Sequence, residues 1–549
     1  MASNKQMVKA LTQVRRMVHK QNFAEIDSIV VEFGLDFLVS DAFIDFGRRM
    51  KEPSSVIFLA TLAVHNAKTT TRPQMILQAY QSIGSGHLTE GIAKLPRRHV
   101  MRHVIACLAN NSALPVCKSA LEKRKGTGQE WVLAFELCLD HGAVANALTV
   151  LNEEMQRASS AEFVLLCAKA LVARAKGVGI GDANQWAGWI TIQTVVYRKL
   201  LKLKMDGVAE KIAQLIAEYC HHSGQQDEAI RWYQAIPAQA DAAVIAQYQI
   251  SKVYGNLQKF DTAIQHLDAA LTQLCSRSNE WINTHFLHAD ADGEKAGKAT
   301  FNSAAAAAAL TDLQKVLAQF GTVPFLVSGT LLGYIRNGGF LSHDKDIDVG
   351  IFEVQNIFDI LGCIANSQLF EVKYNYLRIE KTYQVPVIHR ATGMAIDIFV
   401  YYKTGNRLIT GVQSNFGYTQ NFTFKALELE KVNFLGVEFS IPQDYRTNLE
   451  ENFGAWQVPD SSFISHLECP TTVDVGGTVY LVVARLEMLR SLVEGKSKKV
   501  DRIANILRRW QDVPNAMQPE LIDRLQARFG TQAKMALQPD VTVEVPAYA

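Results

Sequence analysis

The sequence predicts a multidomain protein with an all-α N-terminal half, built from helical repeats, and a C-terminal α/β domain that ends in a helical tail. Three observations lead to this prediction. Up to about residue 285, apolar residues recur at intervals of three and four with few strand-like alternations. After residue 323, short runs rich in Ile, Val, Phe and Tyr are separated by helical or turn segments. From about residue 478 the helical pattern returns.

Length and composition narrow the functional class. At 549 residues the chain is too long for one ordinary core, and its 48% hydrophobic and 20% charged residues are typical of globular domains. A formal charge of +2 gives no reason to expect nucleic acid as the main partner. The eight cysteines include no C-x-x-C pair, which argues against a zinc site or a disulfide framework and favours the reducing cytoplasm.

Targeting signals are not evident in the sequence. The N-terminal segment lacks an uninterrupted apolar core and a small-residue cleavage site, so it does not resemble a signal peptide. The apolar run at 479–489 is too short to span a bilayer and carries Arg485 and Glu487. We therefore expect no transmembrane segment and a cytoplasmic location, where association with the inner membrane would be peripheral.

An internal repeat occurs in the N-terminal half. Residues 227–230 read DEAI and residues 261–264 read DTAI, 34 residues apart and each preceded by a short polar turn. Small side chains, Ala229 and Ala263, stand where two helices of a pair would touch. This spacing resembles tetratricopeptide repeats, which implies a surface for a protein or glycan partner. An irregular helical bundle with one chance repeat is the alternative.

The changes in pattern predict four segments. A polar, glycine-containing stretch separates the two halves, and an alanine-rich helix with Gly321 as its natural stop follows it. The expected segments are a helical repeat domain at 1–286, a linker at 287–300, an α/β domain at 301–475 and a C-terminal helical extension at 476–549.

The α/β part contains an acidic strand, KDIDVGIF, at 345–352. Because residues two apart on a strand point to the same side, Asp346 and Asp348 project together while Ile347 and Val349 face the core. Two carboxylates this close repel each other at a half-buried edge, and a divalent cation removes that repulsion. Oxygen donors of this kind favour Mg²⁺ or Mn²⁺, with phosphate oxygens completing the coordination shell.

A second apolar strand, MAIDIFVYY at 394–402, carries one charge, Asp397. An isolated carboxylate is costly to bury without a partner. If this strand lies beside the first, Asp397 joins the acidic pair. The alternative is that these acids cap turns or pair with Lys345 and Arg390.

The segment FLVSGTLLGYIR, at 325–336, predicts a strand, a tight turn and a helix. The turn falls at Ser328, Gly329 and Thr330, and the first free N–H groups of the following helix could hold a phosphate. Arg336 lies two turns further along that helix, which leads back towards the acids.

The turn, the helix, the Asp-x-Asp strand and the later strand Asp together resemble the nucleotidyltransferase fold, and within it the fukutin and LicD group of phosphotransferases. The similar segments are GTLLGYIRNGGFLSHDKDIDVGIF, AIDIFVYY and the closing VNFLGVEFSIPQDYRTNLEENFGAWQVP. The resemblance covers roughly residues 305–470, and KDIDVGIF is especially close to the fukutin branch. His343 and Lys345 stand where LicD-type members commonly have an aromatic residue and an unbroken acidic run, so we expect a supporting role for Asp344.

This resemblance implies metal-dependent transfer of a phosphoalditol, such as ribitol phosphate or glycerol phosphate, or of a phosphocholine-like group. The donor would be CDP-activated and the acceptor a glycan hydroxyl, in the biosynthesis of cell-surface polysaccharide such as capsule or lipopolysaccharide. Asp346, Asp348 and Asp397 would hold Mg²⁺ or Mn²⁺, and Asp397 would accept the hydroxyl proton. The implied substrate-binding residues are Ser328, Gly329, Thr330, Arg336, His343, Asp344 and Trp456.

Several alternatives remain at the level of sequence. His343 either approaches the phosphates or satisfies a turn carbonyl, and Trp456 either stacks on a base or sugar or packs the closing segment. One rival function is transfer of the nucleoside monophosphate itself to a small molecule. The other is a non-catalytic adaptor, in which the helical repeats bind partners and the α/β part is inactive.

Overall fold

The structure is a computed structural model that describes most of the chain from residue 161 to residue 532. A few isolated helical positions between 132 and 152 are also described, as are Trp281 and Asp344. The predicted linker at 287–300 and His343 lie outside the described residues. The continuous described ranges are 161–175, 183–278, 302–341, 346–354, 356–378 and 381–532.

The chain divides into two compact units, Met1–Ala242 and Ala243–Ala549. This division falls inside the helical domain that was expected to extend to residue 286. The physical reason is that the two helices after Ala242 bury their apolar faces in a core shared with the C-terminal helices.

The described part of the first unit is helical. Its core contains the fully buried Phe135, Leu171, Ile192 and Ile216. The helices are α1 (Ala161–Ala175), α2 (Ala183–Lys202), α3 (Asp206–His222) and α4 (Gln226–Gln234).

Five helices form one layer of the second unit. They come from opposite ends of that unit yet share one apolar core, which includes Leu267 and Leu271 from the early helices and Leu481 and Ile503 from the late ones. The five are α5 (Ala243–Asn256), α6 (Phe260–Ser276), α12 (Thr478–Val493), α13 (Ser497–Arg508) and α14 (Pro519–Phe529).

A buried ion pair fastens α6 to α12. The Arg485 side chain has no exposed surface, and its Nε and Nη2 donate to the two carboxylate oxygens of Asp268 at 2.6 and 2.9 Å. The remaining donors reach the backbone carbonyls of Leu481 at 3.1 Å and Asn515 at 2.9 Å. Arg485, which interrupts the apolar run at 479–489, therefore makes a bidentate contact with a distant part of the chain.

The helices predicted at both copies of the 34-residue repeat are present. Helix α4 begins at residue 226 and α6 begins at residue 260, and Ala229 and Ala263 are both fully buried. Each follows another helix, so α3 and α4 form one hairpin and α5 and α6 form another. Stacking of such hairpins into a tetratricopeptide-like array stays a prediction.

The α/β domain lies between the early and late helices in the sequence. Its helices and strands are α7 (Ser303–Ala318), β1 (Phe325–Leu326), α8 (Ser328–Asn337), β2 (Asp346–Phe352), α9 (Ile357–Asn366), β3 (Phe370–Val372), β4 (Gln384–His389), β5 (Ala395–Thr404), β6 (Arg407–Gln413), β7 (Thr419–Lys425), β8 (Leu429–Phe434), β9 (Val437–Pro442), α10 (Tyr445–Phe453) and α11 (Ser465–Glu468).

The described strands join in one mixed sheet of order β3-β4-β5-β2-β1-β9-β8, with β6 pairing β5 and β7 pairing β6. The central strand β2 runs antiparallel to β1 and parallel to β5. In that parallel pair Asp348 stands directly opposite Asp397, and Asp346 stands opposite Ala395. The condition under which Asp397 joins the acidic pair, that the two strands are neighbours, is thus met.

The two faces of β2 have different environments. Ile347, Val349 and Ile351 are fully buried in the core that also holds α7 and α9. Asp346 and Asp348 project from the opposite face, towards which the β6–β7 hairpin folds. The alternation read from the sequence therefore separates an apolar core face from an acidic face.

Helix α5 supports the β6–β7 hairpin. The hairpin loop lies so close to α5 that a Cβ added at Gly255 would collide with the Phe416 carbonyl. Gln258 Nε2 also donates to the Gly417 carbonyl at 2.7 Å. The helical layer thus holds one wall of the acidic face.

Within the described residues, no helix is both long enough and apolar enough to cross a membrane.

Replacing Asp268 with Asn tests the ion pair between α6 and α12. The change leaves the Arg485 guanidinium buried without its counter-charge, so we expect the second unit to lose roughly 2 to 4 kcal/mol of unfolding free energy. Urea denaturation of the full chain measures this loss. The control is Asp523→Asn, which removes an exposed partner of Arg508 and is expected to cost less than about 1 kcal/mol. Equal, small losses in both variants would contradict a structural role for the buried pair.

Candidate active site

A cavity of about 360 Å³ lies over the acidic face of the sheet and is called the acidic cavity here. Asp346, Asp348 and Asp397 line it, together with Ser328 and Gly329 from the start of α8. The structure thus brings together the three predicted catalytic acids and two of the three residues of the predicted turn.

The turn at the start of α8 holds Asp348 in place. The Gly329 N–H donates to Asp348 Oδ2 at 2.9 Å, and the Asp348 N–H donates to Thr330 Oγ1 at 2.8 Å. Thr330 is fully buried, so its hydroxyl positions the strand instead of lining the cavity. The Gly329 N–H at the helix start is likewise already used by the protein's own carboxylate.

Gly329 is required at its position by the space around it. A Cβ added there would lie 2.9 Å from Asp344 Oδ2 and 3.1 Å from Asp348 Oδ2. Both distances are shorter than ordinary van der Waals contact, so any larger residue would push the carboxylates away from the turn.

Ser328 adopts a backbone conformation that is rare for a residue with a side chain. Its φ is 45°, in the left-handed region, and Asn452 Nδ2 donates to its hydroxyl oxygen at 3.1 Å. Ser328 and Asn452 both line the acidic cavity. Strain of this kind persists where the surroundings enforce it, and it is common in functional sites.

The carboxylates resist ionisation in one another's presence. Burial, then the charges of Asp346, Asp397 and Asp344, raise the pKa of Asp348 well above its usual value despite the hydrogen bond from Gly329. Burial and the charge of Asp346 raise the pKa of Asp397 to about 7, against the lowering effect of a hydrogen bond from the Gln384 side chain. The site therefore concentrates more negative charge than its own residues neutralise.

The donor set suits a hard divalent cation, because it consists of carboxylate oxygens facing one cavity. Among the described residues, however, no group of three or more His, Cys, Asp or Glu side chains is already gathered as a set of metal ligands. The acids share a cavity without forming a closed cage.

Gln384 lines the acidic cavity, although no sequence motif marks it. Its side chain hydrogen-bonds Asp397, and its Oε1 accepts the Gln413 N–H at 2.9 Å. Gln413 in turn accepts the N–H groups of Tyr383 and Gln384 at 2.9 and 3.0 Å. This reciprocal pair of glutamines fixes β4 to β6 and orients the amide beside Asp397.

His466 is a second cavity residue that sequence reasoning missed. It belongs to the short helix α11, and its carbonyl accepts from Gln420 Nε2 at 2.6 Å, which ties the segment to β7. Burial lowers the pKa of the ring, as do Arg490 and Lys499, while Glu487 opposes the shift. These surroundings favour the neutral form of the ring. No motif marks this residue, because folding alone brings α11 to the cavity.

The remaining predicted substrate residues lie elsewhere. Arg336 is on α8 but is not among the described residues that line the acidic cavity, and its Nε has no hydrogen-bond partner in the described chain. Trp456 packs against the apolar core of the α/β domain, which corresponds to the packing alternative. Asp344 acts through its charge on Asp348 and lines a neighbouring cavity, consistent with a supporting role.

Comparison with protein families gives a match at residues 321–444. The matching family model is described as LicD/FKTN/FKRP, nucleotidyltransferase domain. This segment is a LicD-family domain. The match contains β1, α8, β2 and β5, the elements that carry the turn and the three acids, and it confirms the family resemblance that the motifs predict.

Curated relatives match about a quarter of the chain. The ribitol-5-phosphate transferase FKTN of Mus musculus is 26% identical over 147 residues, covering 26% of this chain and 32% of the relative. The Homo sapiens protein of the same name is 24% identical over the same shares. An uncharacterised protein of Rickettsia prowazekii is 26% identical over 155 residues, covering 27% of this chain and 53% of the relative. The chain thus spans about a third of the length of the FKTN relatives that it matches.

Replacing Thr330 with Val tests the positioning of Asp348. Val has nearly the same shape but cannot accept the Asp348 N–H, so a buried donor loses its partner and we expect a loss of about 1 to 3 kcal/mol. Thr330→Ser keeps the hydroxyl and serves as the control for the acceptor. Chemical denaturation compares the two variants with wild type. A Val variant as stable as wild type would show that the hydroxyl does not hold the strand.

The raised pKa of Asp397 predicts how the metal-free protein responds to pH. Between the usual Asp value of 3.8 and about 7, the folded state holds a proton that the unfolded state has released, so stability falls as pH rises through this window. With a chelator present, we expect Asp397→Asn to flatten the decline of the thermal unfolding midpoint. The exposed Asp359→Asn should keep the wild-type slope. Identical slopes in all three proteins would contradict the assigned pKa.

Proposed function

We propose that the protein transfers a phosphoalditol, such as ribitol phosphate or glycerol phosphate, or a phosphocholine-like group, from a CDP-linked donor to a glycan hydroxyl. The observation that carries the proposal is the parallel register of β2 and β5, which sets Asp348 opposite Asp397 with Asp346 two residues away, all lining one cavity. Relatives of the LicD-family domain named ribitol-5-phosphate transferase support the class of reaction.

In this proposal Asp346, Asp348 and Asp397 hold a Mg²⁺ or Mn²⁺ ion. When bound, such an ion stabilises negative charge that develops on phosphate oxygens during transfer. The raised pKa values of Asp348 and Asp397 support this assignment, because they show carboxylates that lack sufficient positive charge. Gly329 and Thr330 contribute by holding Asp348 in place.

The acceptor hydroxyl must lose a proton during transfer. In this proposal Asp397 accepts it, since its carboxylate faces the cavity beside the other two acids. The Gln384 side chain orients Asp397, and Ser328 and Asn452 provide polar contacts at the cavity wall. The apolar side chains Phe399 and Phe422 line the same cavity and limit access of water.

Two rival functions make different demands on the site. Transfer of the nucleoside monophosphate would leave the nucleotide on the product, whereas the proposed reaction releases cytidine monophosphate. A non-catalytic adaptor would not need the strained backbone of Ser328 or the two hydrogen bonds that hold Asp348. These features favour catalysis over an adaptor role.

The helical hairpins suggest how the activity is directed to its acceptor. We propose that α3–α4 and α5–α6 belong to a tetratricopeptide-like region that binds a protein partner or glycan. The matching 34-residue offset and the buried Ala229 and Ala263 support this assignment. Nucleotide-activated donors are made in the cytoplasm, so capsule or lipopolysaccharide assembly at the inner membrane suits the proposal.

Amide substitution of the acids tests the proposed function. With CDP-ribitol, Mg²⁺ and candidate glycans, we expect Asp348→Asn and Asp397→Asn to lower the rate of release of cytidine monophosphate at least a hundredfold, on the order of several kcal/mol of lost stabilisation. The exposed Asp359→Asn is the matched control and should retain the wild-type rate. Parallel assays with CDP-glycerol and CDP-choline identify the transferred group.

The products decide between the proposed function and its rivals. Wild-type rates in both acid variants would overturn the mechanism. A product that keeps the cytidine nucleotide would identify a nucleotidyltransferase. If wild type releases no cytidine monophosphate from any of the three donors with the glycans tested, the proposed reaction is wrong for those substrates.

A further inference from the structure

A second cavity, of about 390 Å³, adjoins the acidic cavity and is called the flanking cavity here. The two share Asp346, Ser465 and His466 in their linings. Most of the rest of the flanking cavity is formed by α12, α13 and the turn between them, which lie outside the segment at 321–444 that matches the LicD family. The helical tail is therefore next to the candidate active site.

The charges in the flanking cavity are divided between its walls. The sheet side contributes Asp344 and Asp346, whereas α12, α13 and the turn between them contribute Arg490, Lys496 and Lys499. Acidic side chains also lie on the helical wall, so the cavity as a whole presents both signs of charge and complements a ligand that carries both.

Two of the three basic side chains already have counter-charges. Arg490 lies 3.7 Å from Glu487 and 3.1 Å from Glu494, and Lys496 lies 2.5 Å from the other oxygen of Glu494. The helical wall thus carries three cations and two carboxylates, so its net charge is +1.

Lys499 is the remaining cation. It is partly buried, lines the cavity, and forms no ion pair or hydrogen bond from its ammonium with the described residues. Burial and then the neighbouring charge of Lys496 lower the pKa of Lys499, and the carboxylates of Glu487 and Glu494 oppose this shift. The two carboxylates of this wall act on Lys499 only at longer range. An ammonium group that is partly removed from water and lacks a direct ion pair can bind an anionic ligand in the cavity.

The predicted cation for phosphate, Arg336, does not line either cavity in the described chain. Among the described residues, a cation for the donor's phosphate oxygens is available from another element. This cation is Lys499, which shares the flanking cavity with Asp346 of the acidic site.

We infer that the flanking cavity binds the diphosphate of a nucleoside diphosphate-linked donor, with Lys499 as its principal cationic contact. This inference rests on the proposed function for the identity of the ligand. A diphosphate with its divalent cation has the same pairing of charges as the cavity: the cation complements Asp346 and the phosphate oxygens complement Lys499. The helical tail then contributes to substrate binding as well as to the fold.

Calorimetric titration of the full-length protein tests this inference. The probes are CDP with Mg²⁺, inorganic pyrophosphate with Mg²⁺, and cytidine, which lacks phosphate. Lys499→Met keeps the aliphatic stem and removes the charge, and we expect it to weaken CDP and pyrophosphate binding by about tenfold or more and to leave cytidine unaffected. Lys498→Met is the matched control, because Lys498 is the adjacent residue of the same helix and is exposed.

Two further measurements separate a ligand contact from a structural role. Added salt should weaken CDP binding to wild type more than to Lys499→Met, since the variant has lost a charge that salt screens. The thermal unfolding midpoint of Lys499→Met should equal or exceed that of wild type, because an unpaired, partly buried charge has been removed. Lys499→Gln provides a second neutral variant if Lys499→Met does not fold.

Several outcomes would overturn the inference. Equal affinity of Lys499→Met and Lys498→Met for CDP and pyrophosphate would remove Lys499 from the site, as would failure of wild type to bind either probe. A Lys499-dependent affinity for ribitol 5-phosphate combined with Lys499-independent binding of CDP would assign the cavity to another phosphate source.

The transfer assay distinguishes failure of this inference from failure of the proposed function. Unchanged donor affinity and transfer in Lys499→Met would overturn the inference and leave the function standing. Lys499-dependent binding of CDP without any transfer by wild type would support the cavity assignment and overturn the function.

Discussion

The candidate site depends on the two hydrogen bonds that join Asp348 to the start of α8. The Gly329 N–H fixes the carboxylate, and the Thr330 hydroxyl fixes the backbone of the same residue. Because Asp348 lies on the central strand, this contact also sets the turn against β5 and Asp397. A single residue thus links the helix start, the sheet register and the acidic cavity. The absence of a side chain at Gly329 makes the approach of the turn feasible.

The second unit surrounds this contact with two kinds of support. The α/β core positions the acids through ordinary strand alternation, with Ile347 and Val349 buried on the other face. The helical layer acts from outside, through the contact of α5 with the β6–β7 hairpin and through the cations of α12 and α13. Catalytic and supporting elements therefore come from segments that look independent in the sequence. A LicD-family domain excised at 321–444 would lack both supports.

Secondary structure that follows a short sequence period could be predicted from the sequence. Alternation around Asp346, Asp348 and Asp397 predicted two strands and their shared acidic face, because period-two alternation reports directly on which side a residue lies. The roles of Gln384 and His466 could not be predicted, since their neighbours are brought to them by tertiary folding. The core that α5 and α6 share with the C-terminal helices could not be predicted for the same reason. The apolar periodicity of the sequence predicts that α5 and α6 are helices, but it does not show which part of the chain packs against them.

The pairing of Arg485 with Asp268 joins residues 217 positions apart, with the whole α/β domain between them. During synthesis, α5 and α6 leave the ribosome long before α12 exists to cover their apolar faces. Contacts this distant in sequence form late and slow folding. A nascent chain at that stage exposes hydrophobic surface of the kind that chaperones bind and that otherwise aggregates. The order of elements along the chain therefore makes completion of the helical tail the step that ends this vulnerable period.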